Sequence, residues 1–102
     1  MNISRIKEWK LHSTKADSLL IQDDLVYFFK NKEMDRIDLS TRNCRLSGRV
    51  YEKEGFKDGD AIHTSAIKRI DRIKKGDSDS DLLVTTVTGS EYCINLADLR
   101  RS

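Results

Sequence analysis

The chain has no proline, whereas average usage near ~5% would place about five in 102 residues. Nothing therefore interrupts a backbone ladder from within, which suits long strands. Cysteine is scarce: Cys44 and Cys93 lie far apart, which excludes a CxxC metal or redox motif, and both read as small core or strand residues. Histidine is equally scarce, and nothing in the sequence brings His12 and His63 together. No stretch approaches the ~18 consecutive apolar residues of a membrane-spanning helix, so no membrane partner is expected. The opening MNISRIKEWK intersperses charges among its apolar residues and lacks the apolar core of a signal peptide, so the expected location is cytoplasmic. A glycine-rich phosphate loop, an HExxH pair and zinc-ligand spacings are all missing, so neither a cofactor nor a metal is expected.

What remains is polar and unevenly charged. Hydrophobic residues make up 37% and charged residues 35%, enough apolar material for one small core in a single domain spanning 1–102. The net charge of +2 conceals blocks of alternating sign: residues 1–15, 42–59 and 60–76 are net positive, while 16–41 and 77–102 are net negative. Such a layout is no polyanion-binding tail. A nucleic-acid argument requires a folded face that gathers the basic blocks.

The most legible element is a hairpin. Leu82 to Thr88 is dominated by β-branched residues, and Glu91 to Leu96 alternates Tyr92, Ile94 and Leu96 with polar or small positions. Gly89-Ser90 between them predicts a two-residue type II′ connection. Arg45 to Tyr51 reads as a strand whose Gly48 marks a bulge or a close backbone approach. Glu54-Gly55 and Asp58-Gly59-Asp60 are turn signals around Phe56, expected to be a buried aromatic that pins the loop. Ala61 to Ile73 has isoleucines three apart, a helical hint, but its β-branched content favours two short strands with a kink at Thr64-Ser65.

In the N-terminal half, Ile3, Ile6 and Trp9 open a strand. Residues 18–40 read as strand, turn at Asp23-Asp24, strand, turn at Asn31-Lys32, and a third strand ending near Leu39, with a helix from Ala16 to Lys30 competing. Tyr27, Phe28 and Phe29 are expected in the core. Many short strands separated by turns predict a mainly β fold, a small antiparallel barrel or sandwich of about six to eight short strands. The motifs LxGxVY at Leu46–Tyr51, FxDGxxIxTSxIxxI at Phe56–Ile70 and VTTVTGSEYxI at Val84–Ile94, with WxL at Trp9–Leu11, resemble small uncharacterised β-rich proteins of bacteria and their mobile elements. The resemblance covers the second half of the chain and implies a fold without catalytic residues. A pleckstrin-like reading of DLVYFFKNKEMDRIDLS ranks last, because six residues after Leu96 are too short for a closing helix.

Candidate chemistry is sparse. Asp77-Ser78-Asp79-Ser80-Asp81 opens like a calcium loop, but the sixth and twelfth positions hold Leu82 and Thr88 where glycine and glutamate are needed. His63 and Ser65 share a strand face at ~6.6 Å of rise, too far for a nucleophile and its base. No catalytic residue and no enzyme activity are expected. The basic residues Lys68, Arg69 and Arg72, with Lys74 and Lys75, form the densest cluster, and Arg42, Arg45 and Arg49 lie on what reads as a neighbouring strand. If the face of Arg45 and Arg49 aligns with that of Lys68 and Arg72, the strip can contact phosphates; otherwise it is a solvated strand face that discourages edge pairing. The sequence thus leads to a small non-enzymatic binding or adaptor module that meets a protein partner or a second copy of itself. The alternative is a nucleic-acid-binding small β-barrel using Arg42, Arg45, Arg49, Lys68, Arg69 and Arg72.

Overall fold

The computed structural model describes residues 3–13, 27–28, 30–31, 33–41, 43–73 and 81–98. Its six strands are β1 (Ser4–Ser13), β2 (Arg36–Asp38), β3 (Cys44–Tyr51), β4 (Asp60–Arg72), β5 (Asp81–Thr86) and β6 (Glu91–Asn95), followed by a 3₁₀ turn, Leu96–Asp98. They form one sheet in the order β2-β4-β3-β1-β6-β5, and an additional β4–β5 pairing closes it into a ring. All neighbours are antiparallel except β1 and β6, which run parallel over Ser4–Ile6 and Tyr92–Ile94. The fold is therefore mainly β. Six strands fall within the expected number, and two are longer than expected, with 10 residues in β1 and 13 in β4.

Closure depends on β4. Its first half pairs with β3, its second half with β5 on one side and β2 on the other. Instead of two strands kinked at Thr64-Ser65 there is one bent strand, with register shifts against β3 near Thr64 and against β5 near Lys68. Bulges of this kind raise the local twist and let a small sheet curl on itself. At the first of them the Thr64 hydroxyl accepts the buried Leu46 N–H at 3.0 Å, taking the place of a backbone carbonyl that the bulge turns away.

A third bulge lies between β1 and β3. Ile6 pairs with Val50 and Lys7 with Arg49, but Lys10 pairs with Ser47, so Glu8 and Trp9 together face Gly48. Glu8 adopts φ 50°, and the inward positions of β1 change from even (Ser4, Ile6) to odd (Trp9, Leu11). Apolar residues three apart, Ile6 and Trp9, can both be buried on one strand only because the extra residue resets the alternation. Gly48 is the counterpart: a Cβ there would stand 2.6 Å from Ile6 Cγ2 and 2.7 Å from the Lys7 carbonyl oxygen. The close approach inferred from its place in the strand is observed.

The core gathers Ile6, Trp9, Leu46, Val50, Ile67, Ile70, Leu82, Val84 and Ile94 inside the ring. Trp9 is fully buried, and its indole N–H donates to the Asn95 carbonyl at 2.7 Å, so its polar edge is satisfied where the chain leaves β6. Cys44 is buried on β3 and Cys93 half-buried on β6.

Four expectations are corrected. The β5–β6 hairpin is present, but Thr86 N–H bonds to Ser90 O and Gly89 N–H to Thr86 O, so the connection is the three residues Val87–Gly89 with Gly89 at φ 91°. That is a tight turn ending in a left-handed glycine rather than a two-residue type II′ turn. Phe56 is 45% exposed, because loop 52–59 is held by backbone caps, Asp58 Oδ1 on Glu52 N and Asp60 Oδ2 on Lys57 N, and needs no buried anchor. Tyr27 is 63% exposed while Phe28 is buried; Phe29 lies outside the described residues. Tyr27, Phe28 and Lys30 are helical, with Asn31 N–H on Tyr27 O, so the competing helix rather than the strand leads into the turn at Asn31, which the Met34 N–H closes on the Asn31 carbonyl. The expected turn at Asp23-Asp24 and the aspartate–serine run before Asp81 lie outside the described residues.

Candidate functional site

Alternation on three adjacent strands determines what the sheet shows to solvent. On β3, Cys44, Leu46 and Val50 point inward and Arg45, Ser47, Arg49 and Tyr51 outward. On β1 the bulge keeps Arg5 and Lys7, then Lys10 and His12, on the outer side. On β4 the outward positions beside β3 are Ala61, His63 and Ala66. Register then sets these side chains in rows: Arg5 beside Tyr51; Lys7, Arg49 and Ala61; Lys10, Ser47 and His63; His12, Arg45 and Ala66.

The result is a basic face. Its rows hold five fixed cations (Arg5, Lys7, Lys10, Arg45 and Arg49) and two histidines, with the carboxylate of Glu8 at the bulge beside them. Glu8 Oε2 meets Arg49 Nε at 2.8 Å, but both side chains are about half exposed, and such a pair adds little in water. Arg49 also donates to the Gly59 carbonyl at 3.0 Å, which holds its guanidinium over β3. Lys7 directly opposite Arg49, and His12 opposite Arg45, are cross-strand neighbours of the kind that ordinarily destabilise a sheet. A sequence that accepts this pairing departs from local optimality at one place, and such departures gather at functional surfaces.

Aromatic rings border the face at one end. Lys7 Nζ lies 5.2 Å from the centroid of the half-buried Tyr51 ring. The loop that leaves the face at Tyr51 and returns at Asp60 carries the exposed Phe56, with Lys53 Nζ 5.7 Å from its centroid. Phe56 read as core in the sequence, so an exposed ring at this margin was not legible there.

At the other end the histidines meet. His12 and His63 have ring centroids 6.1 Å apart at 48°, and His12 Nε2 lies 2.5 Å from the Ser47 hydroxyl. Burial lowers the His12 pKa below its ordinary value, helped by the charge of Lys10 and by His63. The contact is not a hydrolytic dyad in form: cations flank the imidazole where a triad would place an orienting carboxylate. Two imidazoles between Lys10 and Arg45 favour an anion over a metal cation.

The six basic residues singled out in the sequence separate. Arg45 and Arg49 share the outer face of β3, as their spacing required. Their neighbours are His12, Lys7, Ala61 and Ala66, so the strip expected with Lys68 and Arg72 does not assemble beside them. Arg69 pairs with Asp71 at 3.2 Å, and Asp71 is also held by Arg36, so this part of the cluster is internally neutralised. Arg72 is structural: it donates to the carbonyls of Phe28, Met34 and Asn31, and its guanidinium lies 4.7 Å from the centroid of Phe28. Lys68 is exposed on the β2 side of β4, where its charge acts on Asp38. Arg42 lies outside the described residues. What sequence reasoning missed is β1: Arg5, Lys7 and Lys10 were visible as a net positive opening block, but not as neighbours of Arg45 and Arg49.

No family model matches this chain, and neither the curated proteins nor the solved structures contain a match to it.

Proposed function

We propose that this chain is a small non-enzymatic binding module whose outer β1–β3–β4 face holds the phosphate backbone of a nucleic acid. The observation that carries the reading is the register, which places Lys7 against Arg49 and, in the following rows, Lys10 against Ser47 and His12 against Arg45 on one sheet face. Five cations on two paired strands can meet several phosphates at once, and each contact releases a condensed counterion. Tyr51 and Phe56 at the margin supply rings on which bases can stack, a sequence-tolerant contribution of ~1–3 kcal/mol per base. The reading of a protein partner or a second copy has less support, since among the described residues none of the exposed large apolar side chains lies in the rows of this face.

Fluorescence anisotropy with labelled single- and double-stranded oligonucleotides of mixed sequence tests this. Binding is expected at low salt and falls with a log–log slope of about −2 to −4, corresponding to three to five contacts at ~0.7–0.9 each. Lys10→Glu or Arg45→Glu weakens it about tenfold or more, whereas Lys68→Glu, on the other side of β4, leaves it within about twofold. Absence of binding to either form at about 50 mM salt rejects the proposal.

A further inference from the structure

We infer that His12, Ser47 and His63 form a proton-dependent seat for one phosphate within the basic face, so that the module grips nucleic acid more tightly as the pH falls. The inference rests on the reading above and names its central contact.

Register makes the seat. Ser47 is the Cα partner of both Lys10 on β1 and His63 on β4, and His12 is the partner of Arg45, so hydroxyl, two imidazoles and two fixed cations occupy two adjacent rows. The rings stand 6.1 Å apart at their centroids and 48° from parallel, clear of one another. An oxygen accepting from both would lie about 2.8 Å from each nitrogen, the ordinary length for a charge-assisted bond. Ser47 is buried at 8% exposure and already touches His12 Nε2, so the hydroxyl is oriented before any ligand arrives.

Burial, and after it the charged groups around the ring, oppose protonation of His12 in the free protein. Facing His12 are Lys10 on its own strand, Arg45 and Ser47 on β3, and His63 on β4. Around His63 are Ser47, flanked by Arg45 and Arg49, and on its own strand Ala61 and Ser65. Among the described residues, Glu8 on β1 is engaged with Arg49, and Asp60 on β4 accepts the Lys57 N–H. The depressed pKa of His12 agrees with this enclosure. A phosphate inverts the balance: it stabilises both imidazolium forms, and each ring that gains a proton on binding becomes a second donor. By linkage, affinity then rises as pH drops through the interval between the free and bound pKa values, by up to ~10-fold per pH unit for each proton taken up.

The test is oligonucleotide affinity at constant salt at about pH 7.5 and about pH 5.5, a range that spans ordinary histidine titration. The wild-type chain is expected to bind roughly tenfold tighter at the lower pH, and His12→Gln/His63→Gln to bind equally at both. Imidazole NMR on the wild-type chain provides the second readout, with both histidine pKa values moving up when oligonucleotide is added. An undiminished pH dependence in the double variant, or histidine resonances that ignore a bound oligonucleotide, overturns the seat and leaves the binding face standing. Failure to bind oligonucleotide at either pH removes the functional reading itself. Inorganic phosphate that shifts both histidines in that case retains the anion seat without it.

Discussion

Replacing Gly48 with alanine probes the contact on which the basic face depends. The Cβ would lie 2.6 Å from Ile6 Cγ2, 2.7 Å from the Lys7 carbonyl oxygen and 3.2 Å from Trp9 Cα, and two of those three atoms are backbone. Side-chain rotation cannot relieve them, so β1 must move away from β3 at the bulge that sets the parity of Trp9, Lys10 and His12. Overpacking of this kind costs ~1–3 kcal/mol, and displacing a fully buried tryptophan argues for the upper half, about 2–3 kcal/mol. At ~4–8 °C per kcal/mol for a domain of this size, the melting temperature should fall by roughly 10–20 °C. Urea unfolding followed by Trp9 fluorescence gives the free energy, and calorimetry gives the melting temperature. The control is Gly89→Ala, where no atom lies within 4 Å and the cost is the left-handed backbone alone, about 1 kcal/mol. A G48A variant as stable as wild type, or no worse than G89A, refutes the close approach and with it the alignment of Lys7 and Lys10 beside Arg49 and Ser47.

Three further outcomes are expected. Arg72→Ala should destabilise the fold by about 2–3 kcal/mol in urea unfolding, because three backbone carbonyls and the Phe28 ring lose their shared cation, and Arg72→Lys should recover little since an ammonium cannot span them. Oligonucleotide affinity of the folded R72A chain should match wild type, and a large loss would return Arg72 to the binding surface. Thr85 Oγ1 is buried with no hydrogen-bond partner among the described residues, so Thr85→Val should be neutral or stabilising by up to about 1 kcal/mol, and a loss greater than that would point to an overlooked partner. His12 has a lowered pKa in the folded state, so below its unfolded value near 6.5 the unfolded chain binds more protons. Its contribution is complete above about pH 6.5 and is lost as the pH falls towards the folded pKa; the melting temperature should therefore drop on acidification, and drop less in His12→Gln.

Within each strand, the sequence determined much. On β3 and β6 apolar residues alternate with polar or small ones at a period of two, so their inward and outward sets follow from residue order, as does a hairpin closing on Gly89. Gly48 announced its bulge because only a residue without Cβ permits two backbones to meet so closely. The spacing of Ile6 and Trp9 held the matching signal on β1, legible only once both are known to be buried. Local features could not disclose which strands lie side by side, since β1 and β3 are separated by thirty residues, 14–43, and their register is selected by the shared core. Tertiary structure alone therefore brought His12 to His63, set Lys7 and Lys10 beside Arg49 and Ser47, and enclosed Arg72 among the carbonyls of a segment about forty residues away. Residue type decides what a side chain can do; the long-range pairing of bulged strands decides which side chains do it together.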